Sequence, residues 1–374
     1  MSESPGAIEA RLRTLIDRGV TIVDVRQTYV GPDVALERIA PGARLHPGTR
    51  LHGSRTSLAP GAEIGREGPT TLIDTVLGSR AKIASGFAER AVLLEDASAG
   101  ANAHLRDGTL LEEQANTAHA VGLKHTILFP FVTLGSVINF CDCLMAGGTS
   151  RKDHSEVGSG LIHFNYTPWG KHGDKATPSR FGDVPHGVFL RQPRIFLGGS
   201  SGVVGPRHVG FGSVVAAGQV LRRDVGEGRV VASAGAELDR DRTDPAPSVG
   251  KVRRNVTYVA HLVALGAFYD AVRLVREAVD GSERAALLAA RENIDTAITE
   301  RKKRLDAALT EFERPPITWP SPSTDGCPLD VSDTASSHID WVRQLGESEC
   351  EAGAAWLSEV VSRFVDTALG PPGA

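Results

Sequence analysis

Between residues 197 and 221 an aliphatic side chain recurs at every sixth position, at Leu197, Val203, Val209, Val215 and Leu221. Small residues lie between them, among them Gly198, Gly199, Gly205, Gly210, Gly212, Ala216 and Gly218. A step of six fits neither the 3.6-residue helical period nor the two-residue period of a flat strand; it marks a solenoid of short strands. Three such steps make one triangular coil of about 18 residues. Each aliphatic residue then points inward, and the small residues let the chain turn between faces. The pattern predicts a parallel β-helix.

The same rhythm can be traced toward the N-terminus. It starts near Tyr29 with Ile39, Leu45 and Leu51, then slips by one residue to Leu58 and Ile64. Pro41-Gly42, Pro47-Gly48 and Pro60-Gly61 are turn signals suited to coil corners. Over 70–125 strict register is lost, so an irregular coil or one carrying loops is expected there. The rhythm partly returns at Val132, Ile138 and Leu144 and breaks again over 145–194.

The two ends read as helical. Ile8, Leu12, Leu15 and Ile16 share one face of a helix over 5–18 that Gly19 stops, and Val20–Val23 forms an entry strand. Residues 236–250 are charged and Pro-containing, as in a linker. Residues 251–312 carry helical spacing with a hinge near Asp280-Gly281, 315–335 form a Pro-rich loop, and 336–369 are helical again. The expected organisation is 1–28 helix and entry strand, 29–235 β-helix with an inserted loop at 145–194, 236–250 linker, and 251–374 a C-terminal α-helical appendage. That appendage would pack on the solenoid or on a neighbouring subunit.

A chain of 374 residues, 41% hydrophobic and 23% charged, has enough apolar content for a large core. Its net charge of −4 argues against a dedicated nucleic-acid binder. No uninterrupted apolar run approaches the ~20 residues of a membrane span. The start, Met1-Ser-Glu-Ser-Pro5, does not read as a signal peptide, so a cytoplasmic protein without a membrane partner is expected. Cys141, Cys143, Cys327 and Cys350 contain no C-x-x-C pair, and buried thiols are the simplest reading.

Chemistry concentrates where the rhythm breaks. Residues 139–188 gather Arg151, Lys152, Asp153, His154 and Glu156 between Gly147-Gly148 and Gly158-x-Gly160, followed by His163, Asn165, Tyr166, Lys171, His172, Lys175 and His186. A packed coil has no use for such a set, and loops projecting from a rigid scaffold are where sites are grafted. His has a near-neutral pKa suited to a general base, Asn suits orientation of an acceptor or a turn, and lysines suit an anion.

Over roughly 8–230 the chain resembles the acetyltransferase half of the bifunctional N-acetylglucosamine-1-phosphate uridyltransferase/glucosamine-1-phosphate acetyltransferase family. The resemblance rests on His154, the segment Gly160-Leu-Ile-His-Phe-Asn-Tyr166, Lys171 and Lys175, the run Ile195–Gly218, and the tail Arg222-Arg223-Asp224-Val225-Gly226-Glu227. The family's N-terminal nucleotidyltransferase domain has no counterpart in these residues. The resemblance implies a left-handed parallel β-helix, a homotrimer with sites between subunits, and N-acylation of an amino sugar, sugar nucleotide or other small amine by acetyl-CoA or another acyl-CoA. It implies His154 as general base, Asn165 orienting the acceptor or the backbone, and Lys171 or Lys175 holding an anionic group; Arg151, Lys152 and Tyr166 in the same segment are further candidate substrate contacts. Ala217 would lie along the CoA pantetheine, with Arg207, Arg222 and Arg223 near its phosphates.

The resemblance also has departures. The family's tyrosine after the histidine is Val157 here. Its two sugar-phosphate cations fall on Phe129 and Leu144, a serine near the thioester becomes Gly199, and a CoA-binding arginine becomes Ala234. A nucleotide-sugar-binding or divergent biosynthetic protein on the same β-helix, no longer using acetyl-CoA, is therefore the competing reading. His154, His163, His172 and His186 lack the spacing of a familiar zinc motif, and no metal is expected.

Overall fold

The six-residue ladder visits three faces in turn. In the computed structural model, which describes residues 4–168, 171, 173–232, 248–276, 281–321 and 326–370, Leu197 and Val215 lie on one face, Val203 and Leu221 on a second, and Val209 on a third. Among the described residues, these faces are parallel sheets of 11, 10 and 8 strands. They begin at Thr21–Ile22, Tyr29–Val30 and Ser57–Leu58 respectively. The fold is the expected parallel β-helix, with helices following it. Its interior is a column of buried aliphatic side chains such as Leu45, Ile64, Leu72, Leu93, Leu111 and Leu134.

The rhythm does not lapse over 70–125, contrary to the irregular coil expected there. On the first face Ile64, Ile83, Ala99, Thr117 and Leu134 stack in register, one per coil, with steps of 19, 16, 18 and 17 residues. Two things hide this from a fixed-period reading. Corner lengths vary by a residue or two, and several inward positions carry Ala or Thr in place of a large aliphatic residue. The corners are made by non-glycine residues in the left-handed region, including Arg90, Asn102, His125 and Asp142.

The break over 145–194 is likewise not one long loop. Strands Glu156–Val157, Ile162–Phe164 and Ser179–Phe181 continue the first, second and third faces through it. The extra residues form a hairpin at the corner between third and first faces and, over the described residues 165–168, 171 and 173–178, a loop at the corner between second and third. A further segment over 182–195 contains a short helix.

Helix α1 (Pro5–Asp17), capped by Ser4, closes the N-terminal end of the column with Leu12 and Leu15. The short α2 (Val184–Gly187) is capped by Asp183. After the β-helix come α3 (Val249–Phe268), a π-helical turn Tyr269–Arg273, α4 (Leu274–Arg276), α5 (Gly281–Glu311), α6 (His338–Gln344) and α7 (Glu347–Leu369). Residues 236–247 of the expected linker lie outside the described residues. The segment Val249–Arg276 is long and apolar enough to cross a membrane by length and composition, but it is mostly buried in the protein. It packs against α5 and α7, while α5 runs along the third face. Asn293 on α5 donates to the Arg90 and Thr109 carbonyls at 3.1 and 2.9 Å, so the helix is bonded to the coil edge as well as packed on it. Arg273 and Glu113 form an ion pair that is almost wholly buried between the two layers.

Candidate functional site

The two insertions place the expected site residues at different corners. His154 lies on the hairpin Gly148–Ser150/Asp153–His154, between the third and first faces. Gly148 has φ +99°, and a Cβ there would sit 2.5 Å from the His154 Cα, so the hairpin closes only around glycine. The hairpin is held down by Arg151, whose Nη1 donates to the Phe131 carbonyl at 2.7 Å, the Gln114 carbonyl at 3.1 Å and Thr133 Oγ1 at 3.0 Å. Arg151 is thus occupied by the coil beneath it. Lys152 at the hairpin tip is exposed.

His154 is half-buried, with Nδ1 2.9 Å from the Arg151 carbonyl. A carbonyl only accepts, so Nδ1 carries the proton and Nε2 keeps its lone pair. Glu156 Oε2 stands 4.0 Å from Nε2, placed to stabilise a proton taken up there. The imidazole is set in the tautomer a general base requires.

Asn165 and Tyr166 begin the second insertion. Asn165 Nδ2 donates to Asp142 Oδ2 at 2.9 Å. Thr167 and Asp174 pair as an antiparallel bridge that closes the loop. The Tyr166 ring lies against Gly173, where φ is +72° and a Cβ would come within 2.4 Å of the ring. The far side of this loop is anchored by the C-terminal helices. Asp174 is ion-paired with Lys251, Asn255 Nδ2 donates to the Ala176 carbonyl at 3.1 Å, and the Lys171 backbone N–H donates to Glu311. Trp169 and His172 lie outside the described residues.

Asn165, Tyr166 and Lys175 line a cleft of about 450 Å³ together with Arg106, Lys124, His125, Asp142 and, from α5, Glu300, Arg301 and Arg304. Asp142 is buried at a corner with φ +60°, and Arg301 Nη2 lies 2.9 Å from its Oδ1. Burial, followed by the nearby Arg301 charge, depresses the His125 pKa to about 4, so this ring is neutral. His163 is buried beneath the loop, between the Cys141 carbonyl and Ser179 Oγ, both at 2.7 Å from its ring. Desolvation likewise takes it to about 4. It is a structural histidine. His186 pairs with Asp183 at 2.9 Å, which raises its pKa. Among the described residues no group of three or more His, Cys, Asp or Glu is arranged to hold a metal ion.

The expected CoA contacts are spread as well. Ala217 is exposed at the corner between the first and second faces, whereas Arg207, Arg222 and Arg223 lie at the corner between second and third. Arg207 Nη1 donates to the adjacent Pro206 carbonyl at 2.6 Å, and burial lowers its pKa. Arg222 and Arg223 are exposed. Within one chain, then, Asn165, Tyr166 and Lys175 are brought together, and His154 and Ala217 are not. Sequence reading missed Arg106, Lys124, Asp142 and Arg301. The first three recur at intervals of 18, one coil apart, and that period was a usable signal. Nothing in the sequence tied Arg301 to them.

No protein-family model matches the chain. Against curated proteins, it is 31% identical over 242 residues to the bifunctional protein GlmU of Micrococcus luteus, covering 65% of this chain and 43% of that protein. It is 32% identical over 219 residues to the GlmU of Nocardia farcinica, covering 59% of this chain and 39% of that one. To the GlmU of Thermotoga petrophila it is 28% identical over 215 residues, or 58% and 42%. Over 58–65% of its length the chain is similar to these bifunctional GlmU proteins. It spans about two fifths of the length of these relatives. Among solved structures, a UDP-N-acetylglucosamine acyltransferase from Campylobacter jejuni aligns over 55% of this chain and 67% of its own, at 13% identity and a TM-score of 0.21, too low for any structural argument. Beside the GlmU resemblance the departures gain a structural meaning. Phe129, Leu144 and Val157 are each fully buried; Val157 belongs to the interior column, whereas Leu144, paired with Arg180 beside the inward Met145 and Phe181, faces away from that column. Ala234 lies outside the described residues.

Proposed function

We propose that the protein is a hexapeptide-repeat N-acyltransferase that moves an acyl group from acetyl-CoA or another acyl-CoA to the amine of an amino sugar, sugar nucleotide or other small amine. The observation carrying this reading is the His154 hairpin on a GlmU-homologous coil, with Nδ1 held to a carbonyl and Nε2 beside Glu156. In the reaction the acceptor amine attacks the thioester carbonyl. The new C–N bond forms, the C–S bond breaks with loss of the CoA thiolate, and the amine proton passes to His154 Nε2. Asn165 orients the acceptor, with Tyr166, Lys171 and Lys175 beside it. Ala217 and the arginines Arg207, Arg222 and Arg223 serve the CoA.

His154 and Asn165 lie at different corners of one chain, so a complete site draws one corner from each of two neighbouring copies. This supports a homotrimer whose active sites lie between subunits. A cytoplasmic setting fits a reaction that consumes acyl-CoA. The test is CoA release from acetyl-CoA with a panel of small amines and amino sugars, using His154→Ala as the control. Amine-dependent release that disappears in the variant is the expected result; release unaffected by the substitution rejects His154 as the base.

The burial of Phe129 and Leu144 favours a second reading, a nucleotide-sugar-binding protein on the same coil that no longer uses acetyl-CoA. Thermal stabilisation by a UDP-sugar with no CoA release from acetyl-CoA in the presence of any amine would establish that reading in place of the first.

A further inference from the structure

The C-terminal helices do more at the Asn165 corner than cover a face of the coil. Arg301 is 3% exposed, and while its Nη2 faces Asp142, its Nε and Nη1 have no hydrogen-bond partner among the described residues. The Nε of Arg106, across the same cleft, is also buried without a partner. Buried guanidinium N–H groups left without an acceptor are costly, so a site that leaves three of them is built to receive acceptor atoms from outside. The formal charges agree. Arg106, Lys124, Lys175, Arg301 and Arg304 face Asp142 and Glu300, five positive against two negative, with His125 neutral. Glu300 is already paired with Arg304 at 2.7 Å, and Asp142 with Arg301.

We propose that this cleft binds the phosphoryl group of a phosphate ester, with Arg106 and Lys124 of the coil and Arg301 and Arg304 of α5 supplying the cations. A doubly charged phosphoryl group offers several strong acceptors to fork-shaped guanidinium donors and offsets the excess positive charge. At about 450 Å³ the cleft has room for such a group. The inference deepens the acyltransferase reading by naming a group that its acceptor or its donor carries. Binding is measured without turnover, so the two can fail separately.

Calorimetric titration of the full chain at low salt separates the sources of the phosphate. Glucosamine 1-phosphate stands for a sugar phosphate, UDP for a nucleoside diphosphate, and adenosine 3′,5′-bisphosphate for the phosphates of CoA. At least one is expected to bind, and to bind about tenfold or more weakly in both Lys124→Ala and Arg304→Ala, half-buried positions whose loss leaves the coil intact. Arg26→Ala, exposed near the N-terminal end of the column, should bind as the wild type does. Arg301→Met is read only alongside its melting curve, since it also strips Asp142 of a partner. Binding by none of the three ligands, or equal binding by wild type, Lys124→Ala and Arg304→Ala, overturns the proposal. Phosphate-ester binding at this cleft with no acyl transfer to any amine would leave it standing and remove the acyltransferase reading instead.

Discussion

The hairpin that carries His154 and the loop that carries Asn165 are both insertions into one coil, 11 residues apart in the chain, yet they are held in opposite ways. The hairpin is a local device. Two glycines allow its turn, and Arg151 pins it to carbonyls of the two coils directly beneath it. The Asn165 loop is assembled from distant parts of the chain, with Asp142 on one side and Lys251, Asn255 and Glu311 on the other. A site residue can therefore be supported by its own neighbourhood or by a separate layer of structure. The second kind responds to changes far away in sequence.

The largest effect expected on either side is on rate. His154→Ala should lower amine-dependent CoA release by about 10²–10⁴-fold, the usual worth of a general base. Its melting temperature should stay near that of the wild type, because the ring makes one local hydrogen bond. A large loss of stability in this variant would show that the hairpin is no more self-contained than the loop.

On the other side the largest effect is on stability. Arg301→Met removes the partner of a buried carboxylate and should cost about 3–5 kcal/mol in denaturant unfolding. Combining it with Asp142→Asn should recover part of that loss, since no unpaired charge then remains. If the double variant is as unstable as the sum of the two single ones, the pair is not coupled and the helices do not support the loop in the way described.

Acid should also act on the Asn165 side first. His125 and His163 are held neutral by burial, with pKa near 4 against about 6.5 in an unfolded chain. Between those values the unfolded state binds more protons, so stability is full above pH 6.5 and falls as the pH drops toward 4. Each histidine contributes at most about 1.4 kcal/mol per pH unit in that window. Hydrogen exchange at pH 7 and pH 5 should show protection lost around 121–128 and 162–181 before the far coils near residue 30. Uniform loss along the column would remove the distinction. The smallest effect belongs to Arg151→Ala. Losing its bonds to the coil should cost about 1–2 kcal/mol and raise exchange in the hairpin alone.

Much of this fold could be read without coordinates, and particular residues show where that stopped. Leu197 to Leu221 announced three faces because large aliphatic residues fill every inward position and no corner changes length. Ile83, Ala99 and Thr117 belong to the same stack, but small side chains and uneven corners concealed them. His154 and Asn165 stood out as polar residues inside an aliphatic repeat. Their separation to different corners did not, because chain distance says nothing about which side of a triangular coil an insertion leaves from. Arg151 stood out by its residue type, but its bonds to the Gln114 and Phe131 carbonyls in the two coils beneath it could not be read from the chain.

The sequence alone determined the coil, since a hydrophobic period of six leaves few other ways to bury those side chains, and the polar residues in its break over 145–194 marked where the insertions lie. The tertiary structure alone decided what surrounds Asn165. Arg301 lies 136 residues further along the chain, on a helix whose own periodicity specifies a buried face and not what that face meets. Side-chain pattern dictates local geometry because it acts through neighbouring residues. The cleft exists only because α5, laid along the third face, carries Arg301 and Arg304 to the edge where Asp142 turns the coil.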